Sequence, residues 1–214
     1  MNKTSTNNHH ISFCENDLSD DLYEKYKQSK YLAVDTEAMG LFHGRDRLCL
    51  IQICDEFKLT SCIKVEKNIK KAKNIKKLFE DKNILKIFHF ARFDVAAIKS
   101  NLEINIENIF CTKIASKLAR TYTNKHGLKD LITELVGIDL DKTSQSSDWG
   151  SGRNLSQEQI NYAANDVKYL IEAMEKLKII LKREGRYELA KNCFKAIPIH
   201  SELDIAHFSN IFDH

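Results

Sequence analysis

Tyr31-Leu-Ala-Val-Asp-Thr-Glu37 opens with apolar residues in strand-like order and closes on two acids two positions apart. Successive side chains on a strand point to opposite faces, so Asp35 and Glu37 project from the same one. Two carboxylates on one face can share a cation. Hard divalent ions such as Mg²⁺ and Mn²⁺ prefer oxygen ligands, and no clustered His or Cys surrounds these acids, which argues against zinc.

Two further segments supply acids. Ile84-Leu-Lys-Ile-Phe88 reads as a buried strand, and His89-Phe-Ala-Arg-Phe-Asp94 then enters a helix carrying Ala96, Ala97 and Ile98, with Asp94 near its start. From Ser156 to Leu181 apolar residues recur at helical spacing, and Tyr162 and Asp166 stand one turn apart on one side. Taken singly, each fragment has an ordinary structural explanation: a polar strand end, a helix-start acid favoured by the macrodipole, a solvated helical pair. Together, in this order, they fit a metal-dependent phosphodiesterase. Such hydrolysis needs a nucleophile near neutral pH and compensation for charge on the leaving oxygen, and two metals about 3.5 to 4 Å apart supply both. In this scheme Asp35 bridges two divalent ions, Mg²⁺ or Mn²⁺, and Glu37 and Asp166 hold the one that activates water. Asp94 acts directly or through a coordinated water, and Tyr162 orients or deprotonates the attacking water.

The three segments resemble, in order, the Exo I, Exo II and Exo III motifs of the DEDD exonucleases, and the tyrosine of the last motif resembles the DEDDy branch beside ribonuclease D. Gly127-Leu-Lys-Asp-Leu131, Asp141-Lys142 and Gln145-Ser-Ser-Asp-Trp149 are similar to the connection that ribonuclease D relatives place before the third motif. A closer resemblance, to the nanoRNase C family of compact oligoribonucleases, is carried by His43-Gly-Arg-Asp-Arg-Leu-Cys49, Phe110 to Leu118, Arg120 to Leu128 and the Asp213 end. Cys111 stands where ribonuclease D commonly has Asp, and nanoRNase C resembles this chain there. The resemblance implies an α/β, ribonuclease H-like exonuclease fold with a mixed central sheet flanked by helices. It also implies 3′→5′ degradation of very short RNA, above all dinucleotides, and assembly as an octameric ring. It leaves out the helical RNA-binding domains that follow in full ribonuclease D.

Short substrates have a physical rationale. Gly40 can take a turn conformation that lets Leu41 lean over the site; by resemblance to oligoribonucleases with a similar Asp-x-Glu-x-x-Gly-Leu pattern, Leu41 wedges against bases, and its alternative is a core leucine. Donors for a 5′ phosphate cluster between Arg120 and Lys129, with Tyr122, Thr123, Lys125 and His126 as candidates. A cap of this kind would select length by closure, whereas a solvated loop at a subunit contact is the plainer reading of any one of them. His89 is a further substrate-side candidate. Two alternatives stay open: a broader ribonuclease D-like trimmer of RNA or DNA 3′ ends, and a nucleic-acid-binding protein that has lost hydrolysis.

The 214 residues, 43% hydrophobic, suit one domain with a full core. We expect a flexible tail over 1–12, the exonuclease domain over 13–197, and a C-terminal tail over 198–214 whose Leu203, Ile205, Phe208, Ile211 and Phe212 could pack on a neighbour. The net charge of +3 is mild and permits basic strips beside an acidic centre. Lysines from 64 to 77 alternate with apolar residues at helical spacing and read as the wet side of a helix spanning about 66–80; Arg45 and Arg47 stay unassigned. Six cysteines without a Cys-x-x-Cys pair read as reduced core residues. No segment approaches the ~20 apolar residues of a membrane span, so a cytoplasmic protein with no membrane partner is expected. Strands are expected near 31–36, 47–54, 57–63 and 84–88, the first three antiparallel and the fourth parallel after a crossover, with helices from 92 onward.

Overall fold

The computed structural model describes residues 11–69, 71–140, 149–150, 155–208 and 211–212. In chain order the elements are β1 (Ile11–Glu15), α1 (Asp20–Tyr26), β2 (Tyr31–Ala38), β3 (Leu48–Asp55), β4 (Thr60–Lys64), α2 (Lys73–Phe79) and β5 (Leu85–Phe88). They continue with α3 (Ala91–Leu102), β6 (Ile109–Cys111), α4 (Thr112–Ala119), α5 (Leu128–Val136), α6 (Gln157–Lys168), α7 (Leu170–Arg183) and α8 (Tyr187–Ile205). The strands form one six-stranded sheet, β1-β4-β3-β2-β5-β6. β2, β3 and β4 pair antiparallel, and β5 lies parallel beside β2, as the short early connections and the helical crossover through α2 require. The α/β architecture with a mixed sheet and flanking helices is the expected one.

β3, Leu48-Cys-Leu-Ile-Gln-Ile-Cys-Asp55, is buried along its whole length, because α-helices cover both faces of the sheet and the strand is a near-continuous apolar run. Most of the core, including Tyr26, Phe79, Phe88 and Leu177, forms one cluster. A smaller cluster of Leu50, Cys62, Trp149, Ala163 and Ala164 lies under α6, where the alanines let the helix approach the sheet closely. Trp149 therefore anchors the segment before α6, and Gly150 packs so tightly on Met39 that a Cβ there would meet its side chain at 2.7 Å.

Several boundaries move. Ile11 and Ser12, assigned to the tail, belong to β1, which adds parallel to the far edge of β4. β6 was unforeseen among the expected helices; it is three residues long and pairs parallel with β5. The lysine-rich helix is shorter than expected, starting at Lys73, with Ile75, Leu78 and Phe79 facing inward. The Ser156–Leu181 stretch is two helices that change course at Tyr169. Its start is as expected: Ser156 Oγ accepts from Gln159 N at 3.2 Å and Gln159 Oε1 accepts from Ser156 N at 2.9 Å, a reciprocal cap. The helical body does not stop at 197 either, since α8 runs through Pro198 to Ile205. Proline forfeits only one helical donor, and Arg92 of α3 makes two 2.6 Å hydrogen bonds to Asp204 on that last stretch. Phe208, Ile211 and Phe212 beyond it are exposed. Among the sequence expectations, residues 1–10, the Asp141 to Asp148 stretch, Ser151, Gly152 and the Asp213 end lie outside the described residues.

Candidate active site

β2 holds Asp35 and Glu37 because it is central, paired on both sides, with Asp35 opposite Gln52 and Glu37 opposite Leu50 on β3. A register irregularity follows between Glu37 and Ala38 and ends regular pairing beside the acids. α6 brings Asp166 across from the other side of the chain. Asp35, Glu37 and Asp166 each place a carboxylate oxygen within 4.8 Å of the others. The fourth acid enters from α3: buried Asp94 accepts a 2.7 Å hydrogen bond from Thr36 Oγ1, the residue between the two β2 acids.

The turn into α3 is tight. Phe90 adopts a left-handed conformation with φ 73° directly after His89, a strained choice for an aromatic residue that places His89 against the sheet end. His89 Nδ1 lies 2.9 Å from Thr112 Oγ1, whose own hydrogen goes to the Phe88 carbonyl at 3.0 Å. With its hydroxyl hydrogen on that carbonyl, the threonine oxygen is left to accept from the His89 Nδ1–H. A cavity of about 190 Å³ is lined by Asp35, Glu37, His89, Tyr162 and Asp166 with Leu128, Lys129 and Leu140.

Electrostatics mark this cavity as a place for cations. Burial, reinforced by Asp94, Asp166 and Glu37, pushes Asp35 well above the usual carboxylate range. Burial, then the charges of Asp166 and Asp94, lifts Glu37 to about 8. Asp94 rises to about 7 through burial, against the opposing hydrogen bond from Thr36. Acids packed so closely resist ionising together unless positive charge joins them. Their all-oxygen donor set fits hard divalent ions.

Other expected residues fall elsewhere. Leu41 is 82% exposed, which excludes the core-leucine reading. It lines a separate hollow of about 350 Å³ with Phe42, His43, Phe90, Arg92, Phe93, Asp204 and His207. Gly40 is needed for space and has no positive φ: a Cβ there would lie 2.3 Å from Asp46 Oδ2. Asp46 also accepts from Phe42 N at 3.0 Å and so shapes the Leu41 turn.

The expected phosphate donors after Arg120 do not line the acidic cavity. Arg120 is wholly buried; it pairs with Glu134 and donates to Ser116 Oγ at 2.9 Å and to the Lys125 carbonyl at 2.8 Å. Its guanidinium holds the loop and is spent. Tyr122 donates to Glu134, and His126 Nδ1 lies 2.9 Å from Ser116 Oγ. Lys125 presents an exposed side chain. Lys129, beside the acids and ion-paired at 3.0 Å with Asp139, was passed over, as were Leu128, Thr36 and Thr112. The Gly127-Leu-Lys-Asp-Leu motif already contained Leu128 and Lys129. The larger cavity of about 660 Å³, lined by Lys30, Lys178, Lys191 and Lys195 among others, lies at the opposite ends of β2, β5 and β6 and contains none of the four acids.

The family described as 3′-5′ exonuclease matches residues 11–182. Among solved structures, Brucella melitensis NrnC bound to pGG is 45% identical with a TM-score of 0.90, over 95% of this chain and 98% of that one. Brucella melitensis NrnC with bound Mg²⁺ is 44% identical with a TM-score of 0.89 over the same shares. Ribonuclease D of Sphingobium indicum is 31% identical over 159 residues, 74% of this chain but 40% of that protein, so the chain spans less than half of the length of this curated relative. With acids of β2 and α6 converging at the end of the sheet, the chain belongs to the 3′-5′ exonuclease family, in the ribonuclease D-like branch that contains NrnC.

Proposed function

We propose that this protein is a metal-dependent 3′→5′ exoribonuclease that hydrolyses short RNA, dinucleotides above all, to mononucleotides. The observation that carries this reading is the convergence of Asp35, Glu37 and Asp166 within 4.8 Å, with Tyr162 lining the same cavity. The likeness to a structure holding pGG, over nearly the whole of both chains, supports the short substrate.

Asp35 would contact both divalent ions, Glu37 and Asp166 one of them, and Asp94 would reach them directly or through water. When bound, the ions lower the pKa of the attacking water and neutralise the leaving oxygen. The chain's own part is positional. Tyr162 would orient the water, whose oxygen bonds to the phosphorus as it gives up a proton to solvent, while the P–O3′ bond breaks and the 3′ oxygen takes up a proton from solvent. His89 and Lys129, both at the cavity wall, would face the nucleotide. Leu41, in its neighbouring hollow, would wedge against a base; Gly40 makes the turn that presents it. Tyr122, Lys125 and His126 remain the proposed 5′-phosphate side, with Arg120 as their buried frame.

We further propose an octameric ring, supported by exposed Phe208, Ile211 and Phe212, and a cytoplasmic location, supported by six free cysteines. No described helix is long and apolar enough to cross a membrane. Cleavage of 5′-phosphorylated RNAs of two and seven nucleotides, with Mg²⁺ or Mn²⁺ and beside Asp35→Asn, tests the function. Fast loss of the dimer alone, absent in the variant, is expected. Equal stepwise shortening of both would make the protein a general trimmer, and no metal-dependent cleavage would make it a binding module.

A further inference from the structure

β3 carries one amide within an otherwise apolar run. Gln52 stands between Ile51 and Ile53 and is 0% exposed. Neither its Nε2 nor its Oε1 meets a hydrogen-bond partner among the described residues. A buried amide without a partner loses its hydration for nothing, and a leucine or methionine would fill the space at less cost. The position of this amide points to its use.

Residues directly opposite on antiparallel strands share a face. Gln52 is opposite Asp35 on β2 and, on its other side, opposite Cys62 on β4. Asp35, Gln52 and Cys62 therefore form one row across the sheet, beneath α6. Cys62 Sγ is occupied, 3.8 Å from the Ile160 carbonyl of α6. Next along the same face, Leu50 stands opposite Glu37 and offers no acceptor. Asp35 is the one carboxylate in the row. Opposed Cβ atoms sit about 5 Å apart, so rotation about the outer torsions of the glutamine brings its amide to the Asp35 carboxylate.

We propose that Gln52 is a positioning residue for Asp35: its amide N–H donates to one carboxylate oxygen and so fixes which oxygen turns toward a divalent ion. This rests on the metal-dependent reading of the site, and it adds a polar support from the sheet interior to the one that Thr36 gives Asp94. Partners that orient a metal-binding carboxylate are commonly worth about 10- to 100-fold in metal affinity or rate.

The test uses the full chain with Gln52→Met, which keeps the volume, and Gln52→Asn, which keeps the amide but shortens its reach. Calorimetric titration with Mn²⁺ alone, without substrate, should show about tenfold weaker binding in both. On a 5′-phosphorylated dinucleotide, kcat should fall about 10- to 100-fold with KM within about twofold. The melting temperature of Gln52→Met in chelator should equal or exceed that of the parent, which an amide with a purely structural role would not allow. Parental Mn²⁺ affinity and kcat in both variants would overturn the proposal. A parent that binds Mn²⁺ yet cleaves no RNA would overturn the exoribonuclease reading, while the Mn²⁺ titrations would still decide the role of Gln52.

Discussion

The carboxylates that make this site also strain the protein that carries it, and the strain is measurable as pH dependence of stability without metal. Glu37 is lifted from 4.5 to about 8 and Asp94 from 3.8 to about 7. Between these ordinary and raised values the folded chain holds protons that the unfolded chain has released, so the stability these groups lend is complete below about pH 4 and is lost as pH rises to 7 and 8. At about 1.4 kcal/mol per pH unit, either group alone corresponds to roughly 4 to 5 kcal/mol. The charge of Asp94 is one cause of the Glu37 shift, so the two figures do not add and about 5 kcal/mol for the cluster is the better figure. A chain of this size loses about 2 to 4 °C per kcal/mol, which gives a fall in Tm of roughly 10 to 20 °C between pH 4 and 8.5. Circular dichroism melts in chelator would follow it. Glu37→Gln should flatten the curve and raise Tm at pH 8, and Mn²⁺ at a hundred times its Kd should restore about 2.7 kcal/mol to the parent. A parental Tm constant across this range in chelator, with no gain from Glu37→Gln, would refute the reasoning, because the acids would then ionise together at no cost.

Tyr162→Phe removes only a hydroxyl at the cavity wall; kcat on the dinucleotide should fall about a hundredfold with Tm unchanged, measured by single-turnover cleavage and thermal melts. Arg120→Met leaves Glu134 without its buried partner and frees Ser116 Oγ and the Lys125 carbonyl; urea unfolding should show a loss of about 3 kcal/mol. Leu41→Ala, at a side chain 82% exposed, should leave Tm within a degree or so, while KM for the dinucleotide rises about tenfold if the leucine stacks on a base.

The parts of the fold that the sequence discloses are those whose signal is local. β2 and β3 are apolar runs of strand length, and Ser156 with Gln159 is a cap whose two bonds span three residues. β1 was missed because Ile11-Ser-Phe-Cys-Glu15 has only a weak alternation and its partner β4 lies some fifty residues on. β6 is three residues that become a strand only beside β5. The site shows the same division. That Asp35, Glu37 and Asp166 would come together, with Tyr162 on the same cavity, was legible from residue type, order and flanking pattern. Thr36 could not be assigned to Asp94, 58 residues away, without knowing that α3 returns to the end of β2. The role of Arg120 was not legible either, because sequence reports a cation but not its burial, and a guanidinium with no exposed atoms holds a loop together rather than meeting a ligand.

A cluster of mutually repelling acids keeps its geometry only if each is held by an element that repulsion does not move. β2 cannot drift, because β3 and β5 pair with it on both sides. α3, which carries Asp94, is clamped from the far end of the chain: Arg92 grips Asp204 in two hydrogen bonds, and Ser201 Oγ donates to the Arg92 carbonyl at 3.0 Å. The start of α6 is fixed by its reciprocal cap, and Ala163 and Ala164 seat the helix on the sheet between Tyr162 and Asp166. The segment after 197, which composition suggests is a tail, is thus part of the frame that holds Asp94 in place. Its closing ion pair is partly exposed, so the rigidity of Asp94 comes from the packing of α8 on α3 and only secondarily from charge. An active site that costs its own fold stability before its ions arrive needs this separation: repulsion concentrated at the cavity, and apolar burial in the surrounding elements to oppose it.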